Sequence, residues 1–216
     1  MHNLALSIIL NHFILVPAII GAIRFKAILK QFYPFLLIIW MGAFNETVSL
    51  LLIYGNKSNA VNGNIFVLAE YFLILYQFYK WNGNRYKVYL VLAFLGSVLW
   101  IFDVLILNSI TQNNSLFRSC SSLIIVFLSI DQLTKIIIFE RGVLFRNAMF
   151  IICLSFFFYY TCKAFVESFN AFHIGLSRGI LWNLWIILYF VNFIANVFYT
   201  IAMICIPVKQ ELTLLS

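Results

Sequence analysis

Four acidic side chains lie inside long apolar runs of this chain: Glu46, Glu70, Asp103 and Asp131. Glu46 sits in Gly42-Ala-Phe-Asn-Glu46-Thr-Val-Ser49, at the middle of the apolar run from Pro34 to Tyr54. An acid at that depth in lipid is tolerated when it is protonated, or when it faces a protein interior, a partner or a water-filled cavity. The chemistry open to it is proton transfer, hydrogen bonding to a polar ligand, or charge balance. Glu70 falls about two helical turns inside the next run, and Asp103 a little over one turn from the outer end of the run after that. Asp131 differs from the other three. Lys135 follows it by four residues, which puts both on one helical face, and a plain ion pair accounts for them.

Amides extend the polar set. Asn192 and Asn196 are also four apart and share a face, with Asn183 nearer the outer end of the same run. Asn11 and His12 lie near the middle of the first run. If these faces converge, the bundle encloses an outward-facing polar pocket, and Glu46, Glu70, Asp103, Asn192, Asn196 and His12 are its candidate ligand-binding residues. The opposing reading is structural: such groups hydrogen-bond across helices and hold the packing, each contact contributing about 0.6 kcal/mol.

Other chemistries find little support. Of the three histidines, His2 is at the extreme N-terminus, His173 falls in an expected outer loop, and only His12 lies within a span. No HxxxH pair exists, whereas a catalytic zinc site takes about three protein ligands. No metal or other cofactor is expected. Ser119, Ser121 and Ser122 cluster, but there is no GxSxG and no histidine with an evident companion acid, so no catalytic residue is assigned.

The elements that must position these groups follow from composition. The chain of 216 residues is 64% hydrophobic, 19% aromatic and only 10% charged, with mean hydropathy +1.00. A soluble domain carries about 25% charged residues. Too few charges exist to coat a water-facing surface, so the class is an all-α polytopic membrane protein whose first partner is the lipid bilayer. The formal charge of +7 is not a nucleic-acid patch, because the basic residues recur in short clusters between apolar runs. The four cysteines show no CxxC spacing and read as small core residues, although Cys162, close to an expected boundary, leaves a bridge open. The N-terminal run lacks a basic leader and is followed by Arg24-Phe25-Lys26 rather than by a small-residue cleavage site, so it reads as a span.

A spanning helix needs about 20 apolar residues. Seven runs qualify: Leu4 to Ile23, Pro34 to Tyr54, Asn64 to Tyr79, Val88 to Leu107, Leu116 to Thr134, Asn147 to Val166 and Arg178 to Ile206. The stretch Gly55 to Gly63 reads as turn chemistry, and Glu167 to Ser177 as an interfacial segment. One set of loops then carries Arg24, Lys26, Lys30, Lys80, Arg85, Lys87, Lys135, Arg141, Arg146 and Lys209, and the other Lys57, Arg118, Lys163 and Arg178. The richer side is expected to be cytoplasmic. That puts the N-terminus outside and the C-terminus inside, with one seven-helix domain over the whole chain.

The strings Pro17-Ala-Ile-Ile-Gly21-Ala-Ile-Arg-Phe25, Glu46-Thr-Val-Ser49 and Asn64-Ile-Phe-Val-Leu-Ala-Glu70-Tyr resemble small bacterial seven-helix proteins of unknown function. They are also similar to the seven-helix input regions ahead of some sensor histidine kinases. The resemblance implies a sensory or accessory membrane role and no activity. The first reading is a receptor-like protein of the inner membrane, in which helix shifts at Pro17 and Gly42 carry the change inward. The sequence stops at Ser216 with no kinase attached, so a signal is expected to pass to a separate partner. Two alternatives stay open: a lipid-modifying enzyme of lysoplasmalogenase type, with Glu46 and Glu70 as acid and base, and a proton-linked transporter. Cavity shape discriminates among them. An outward-open polar cavity favours sensing, a lateral slot towards lipid favours an enzyme, and a closed interior favours a structural role.

Overall fold

The computed structural model describes residues 8–139, 143–172 and 178–208. Seven helices run through them: α1 (Ile8–Arg24), α2 (Tyr33–Tyr54), α3 (Ala60–Trp81), α4 (Tyr86–Phe102), α5 (Ser115–Phe139), α6 (Ala148–Ala171) and α7 (Arg178–Cys205). Six of these, α2 to α7, are long and apolar enough to cross a membrane, and α1 is a shorter apolar helix. Their lipid-facing sides carry exposed Leu, Ile, Phe and Val, as apolar surroundings require. The only extended pairing among the described residues is a single antiparallel bridge between Ile28 and Val208. The protein is an all-α, multi-pass membrane protein. All four cysteines are free, Cys162 included.

Three helices are longer than their apolar runs suggest. α3 begins at Ala60, inside the stretch that reads as a turn, because Asn62 finds partners in Asn45, Ser49 and Asn59. α5 continues to Phe139. α6 continues past Val166 to Ala171, so Glu167 is a buried helical residue and not part of an interfacial segment. His173 and His2 lie outside the described residues.

α1 is interrupted at Phe13 and Ile14. Pro17 causes this, since it has no N–H to offer the Phe13 carbonyl, and that carbonyl accepts from Val16 instead at 3.0 Å. Below the break, Arg24 donates to the carbonyls of Met203, Ile204 and Ile206, which fastens the end of α1 to the end of α7. Gly42 of α2 makes room for the Ile14 side chain at the break.

The middle of the bundle is α2, α3, α5, α6 and α7. Phe35, Tyr71, Phe78, Phe117, Phe156 and Tyr199 fill it, several of them in edge-to-face pairs. Helix ends are tied by buried polar side chains. Gln77 of α3 accepts from Phe35 N at 2.7 Å and donates to the Gln31 carbonyl at 2.8 Å, which satisfies the start of α2. α5 packs on α6 through serines: Ser119 meets Ser168 at 2.7 Å, and Ser122 and Ser129 bond back to their own helix. Small residues let the two backbones approach. At the other end of α5, Asp131 bonds Lys135 at 2.5 Å and Arg85 at 3.5 Å, an exposed ion-pair cluster.

α4 is peripheral. Only Tyr89 and Gly96 are buried within Tyr86–Phe102, while Leu90, Phe94, Val98 and Ile101 are exposed. Gly96 admits the Tyr71 ring, whose hydroxyl donates to the Leu92 carbonyl at 2.9 Å. A π-helical turn, Asp103–Leu107, ends the helix.

Candidate ligand-binding cavity

A cavity of about 740 Å³ lies between the helices, and residues of the α2–α3 and α4–α5 connections line it at one end. Every helix except α4 lends it side chains: α1 gives Asn11 and His12; α2 gives Asn45, Glu46 and Ser49; α3 gives Gly63 and Phe66; α5 gives Arg118; α6 gives Tyr159, Lys163 and Glu167; α7 gives Trp185, Tyr189 and Asn192. Glu46 is eight residues short of the end of α2, and Lys163 eight short of the end of α6. At 1.5 Å rise per residue, both lie about 12 Å in from those ends.

The charges form a network. Lys163 donates to Glu70 at 3.2 Å, and both side chains are nearly buried. The same ammonium lies over the rings of Tyr159 and Tyr160, 5.5 and 5.1 Å from their centroids. Arg118 donates to Asn114 Oδ1 at 2.9 Å and Asn64 Oδ1 at 3.3 Å, and reaches Glu167 at 3.8 Å. Glu167 is 2% exposed, and its Oε2 has no hydrogen-bond partner. Glu46 makes no hydrogen bond or ion pair among the described residues, although it lies within electrostatic reach of His12 and Glu70. The His12 Nδ1–H donates to the Ile8 carbonyl at 2.8 Å, since a carbonyl can only accept, and Nε2 is left for other contacts.

Asn64 builds the roof. Its Nδ2 donates to the carbonyls of Ile110 and Gln112 at 3.0 and 2.7 Å, and its Oδ1 accepts from Asn114 N at 3.3 Å. This holds Thr111, Gln112 and Asn113 against the cavity mouth.

The residues singled out in the sequence separate into three groups. Glu46, His12 and Asn192 line the cavity, and Asn192 donates to Asn11 at 3.0 Å. Glu70 lies behind the wall, joined to the cavity by Lys163. Asp103 and Asn196 do not line it. Asp103 is fully buried and accepts from Phe117 N at 2.8 Å and Asn108 Nδ2 at 2.7 Å, which caps α5 from the end of α4. Asn196 is buried one turn below Asn192, with neither amide atom partnered among the described residues. Asn183 is exposed.

Arg118, Lys163 and Glu167 are the additions. Their places near the ends of apolar runs make them read as boundary residues, yet Tyr159, Lys163 and Glu167 recur every four residues and so share one face. That spacing was the available signal. Among the described residues no three His, Cys, Asp or Glu side chains are grouped to hold a metal ion.

The fold and the cavity together define a class: a polytopic α-helical membrane protein with a charged pocket at one end of its bundle. No family model, curated protein or solved structure matches the chain.

Proposed function

We propose that this protein is a receptor-like or sensor-like protein of the bacterial inner membrane that binds a small molecule or a lipid headgroup in the cavity. The observation that carries the reading is the convergence of charged side chains from α2, α5 and α6 on one space near the end of the bundle. A packing role needs no such space, since interhelical hydrogen bonds form without a void. The volume falls among those of small-molecule sites, which span about 300–1,000 Å³. The basic residues support placing that end outside: Lys57 is the one lysine or arginine of the α2–α3 and α4–α5 connections. A separate signalling partner then meets the opposite, lysine- and arginine-rich face.

The test is a thermal-shift screen of polar metabolites and lipid headgroups on purified protein, with Glu46→Gln/Glu70→Gln beside it. Compounds that raise the unfolding midpoint of the wild type are expected to lose that effect in the double variant. Equal shifts in both proteins remove the pocket as the binding site.

A further inference from the structure

The charge arrangement carries the proposed site further, to the class of molecule it takes. Two fixed cations, Arg118 and Lys163, meet three carboxylates, Glu46, Glu70 and Glu167. Both cations are committed within the protein: Lys163 to Glu70 and two tyrosine rings, Arg118 to Asn64, Asn114 and Glu167. With His12 counted neutral, one carboxylate is left over. Glu46 is that group, because no cation pairs with it among the described residues. A second acceptor, Glu167 Oε2, belongs to another residue lining the cavity and is buried with no donor among the described residues. Both groups only accept while ionised, and Glu46 has no ion pair among the described residues, so a positively charged donor at Glu46 satisfies its charge while Glu167 Oε2 takes a further N–H.

The rest of the wall selects among cations. Trp185, Tyr189 and Tyr159 line the cavity around this region, and both tyrosines lie within electrostatic reach of Glu46. Aromatic faces attract organic ammonium groups and bury their carbon skeletons. A bare inorganic ion uses neither the rings nor a volume of about 740 Å³. We propose that the cavity binds an organic ammonium ion, its charged group at Glu46 with Glu167 as second acceptor and its apolar part against Trp185 and Tyr189. This rests on the ligand-binding reading of the same cavity.

Three isosteric probes test it on the full chain in lipid nanodiscs: 2-phenylethylammonium, neutral 2-phenylethanol and anionic 3-phenylpropanoate. Sodium chloride forms a fourth arm, all in potassium phosphate, and the thermal unfolding midpoint is the readout. The ammonium probe alone is expected to raise the midpoint, and Glu46→Gln to weaken its binding about tenfold or more. If the neutral or anionic probe matches it, or if Glu46→Gln binds it unchanged, the cation assignment is overturned while the pocket stands. If sodium reproduces the whole effect, the organic class is overturned. If no probe shifts the wild type, the ammonium assignment is overturned, and the pocket itself is decided by the metabolite and headgroup screen. Should Glu46→Gln fail to fold, Glu46→Asp replaces it: the charge stays but retracts by one methylene, and unchanged affinity overturns the proposal.

Discussion

Glu70 and Lys163 are 93 residues apart and meet at 3.2 Å where little water reaches. A buried pair of this kind contributes little net stability, because desolvating two ions offsets most of their attraction. Removing one partner is a different matter. Lys163→Met leaves Glu70 as an uncompensated buried carboxylate and is expected to cost about 3–5 kcal/mol. Lys163→Met/Glu70→Leu removes both charges and is expected to recover most of that loss. Equilibrium unfolding of the two single variants and the double variant checks this. A loss in the double variant equal to the sum of the two single losses would show that the pair is not coupled. Glu46 differs in having no ion pair among the described residues, with His12 as a basic neighbour in electrostatic reach.

At the scale of elements, α4 hangs on the bundle by few buried contacts, and Gly96 is the closest of them. A methyl group there collides with the Tyr71 ring and disturbs the bond to the Leu92 carbonyl. Gly96→Ala is expected to cost about 1–3 kcal/mol of the kind overpacking brings. Gly83→Ala, with no atom near its added carbon and no positive φ, is the control and leaves the melting midpoint in place. The helices themselves were legible from apolar run length, because lipid demands a continuous apolar stretch whatever the tertiary contacts. Their ends were less so. Glu167 and Asn62 sit in polar stretches that read as boundaries, and only partners on other helices, Arg118 for one and Asn45 for the other, carry the helix through them. The same holds for the site. Glu46 announces itself as an acid at mid-run, whereas Asp103 looks the same in sequence and turns out to cap α5, a difference that depends on where Phe117 N lies in space.

For the whole molecule, six helices are long enough to cross a membrane and α1 is a shorter apolar helix. Burial of Arg118 and Lys163 removes both from the loops and leaves the cavity end poorer still in basic residues. Sidedness is then checked by cysteine labelling of intact cells with an impermeant maleimide. Asn56→Cys in the α2–α3 connection is expected to label, and Asn84→Cys before α4 is expected to stay protected until the membrane is opened. The reverse pattern would turn the cavity towards the cytoplasm. Pro17 has a bearing on this layout. Arg24 fixes the lower piece of α1 to α7, while Asn11 and His12 ride on the piece above the break. A tug on those two residues is absorbed by the joint at Phe13 and Ile14 before it reaches the far face. For a sensor, α1 is then an insulator, and news of occupancy has to travel down the unbroken rods α2 and α6, through Glu46 and Lys163.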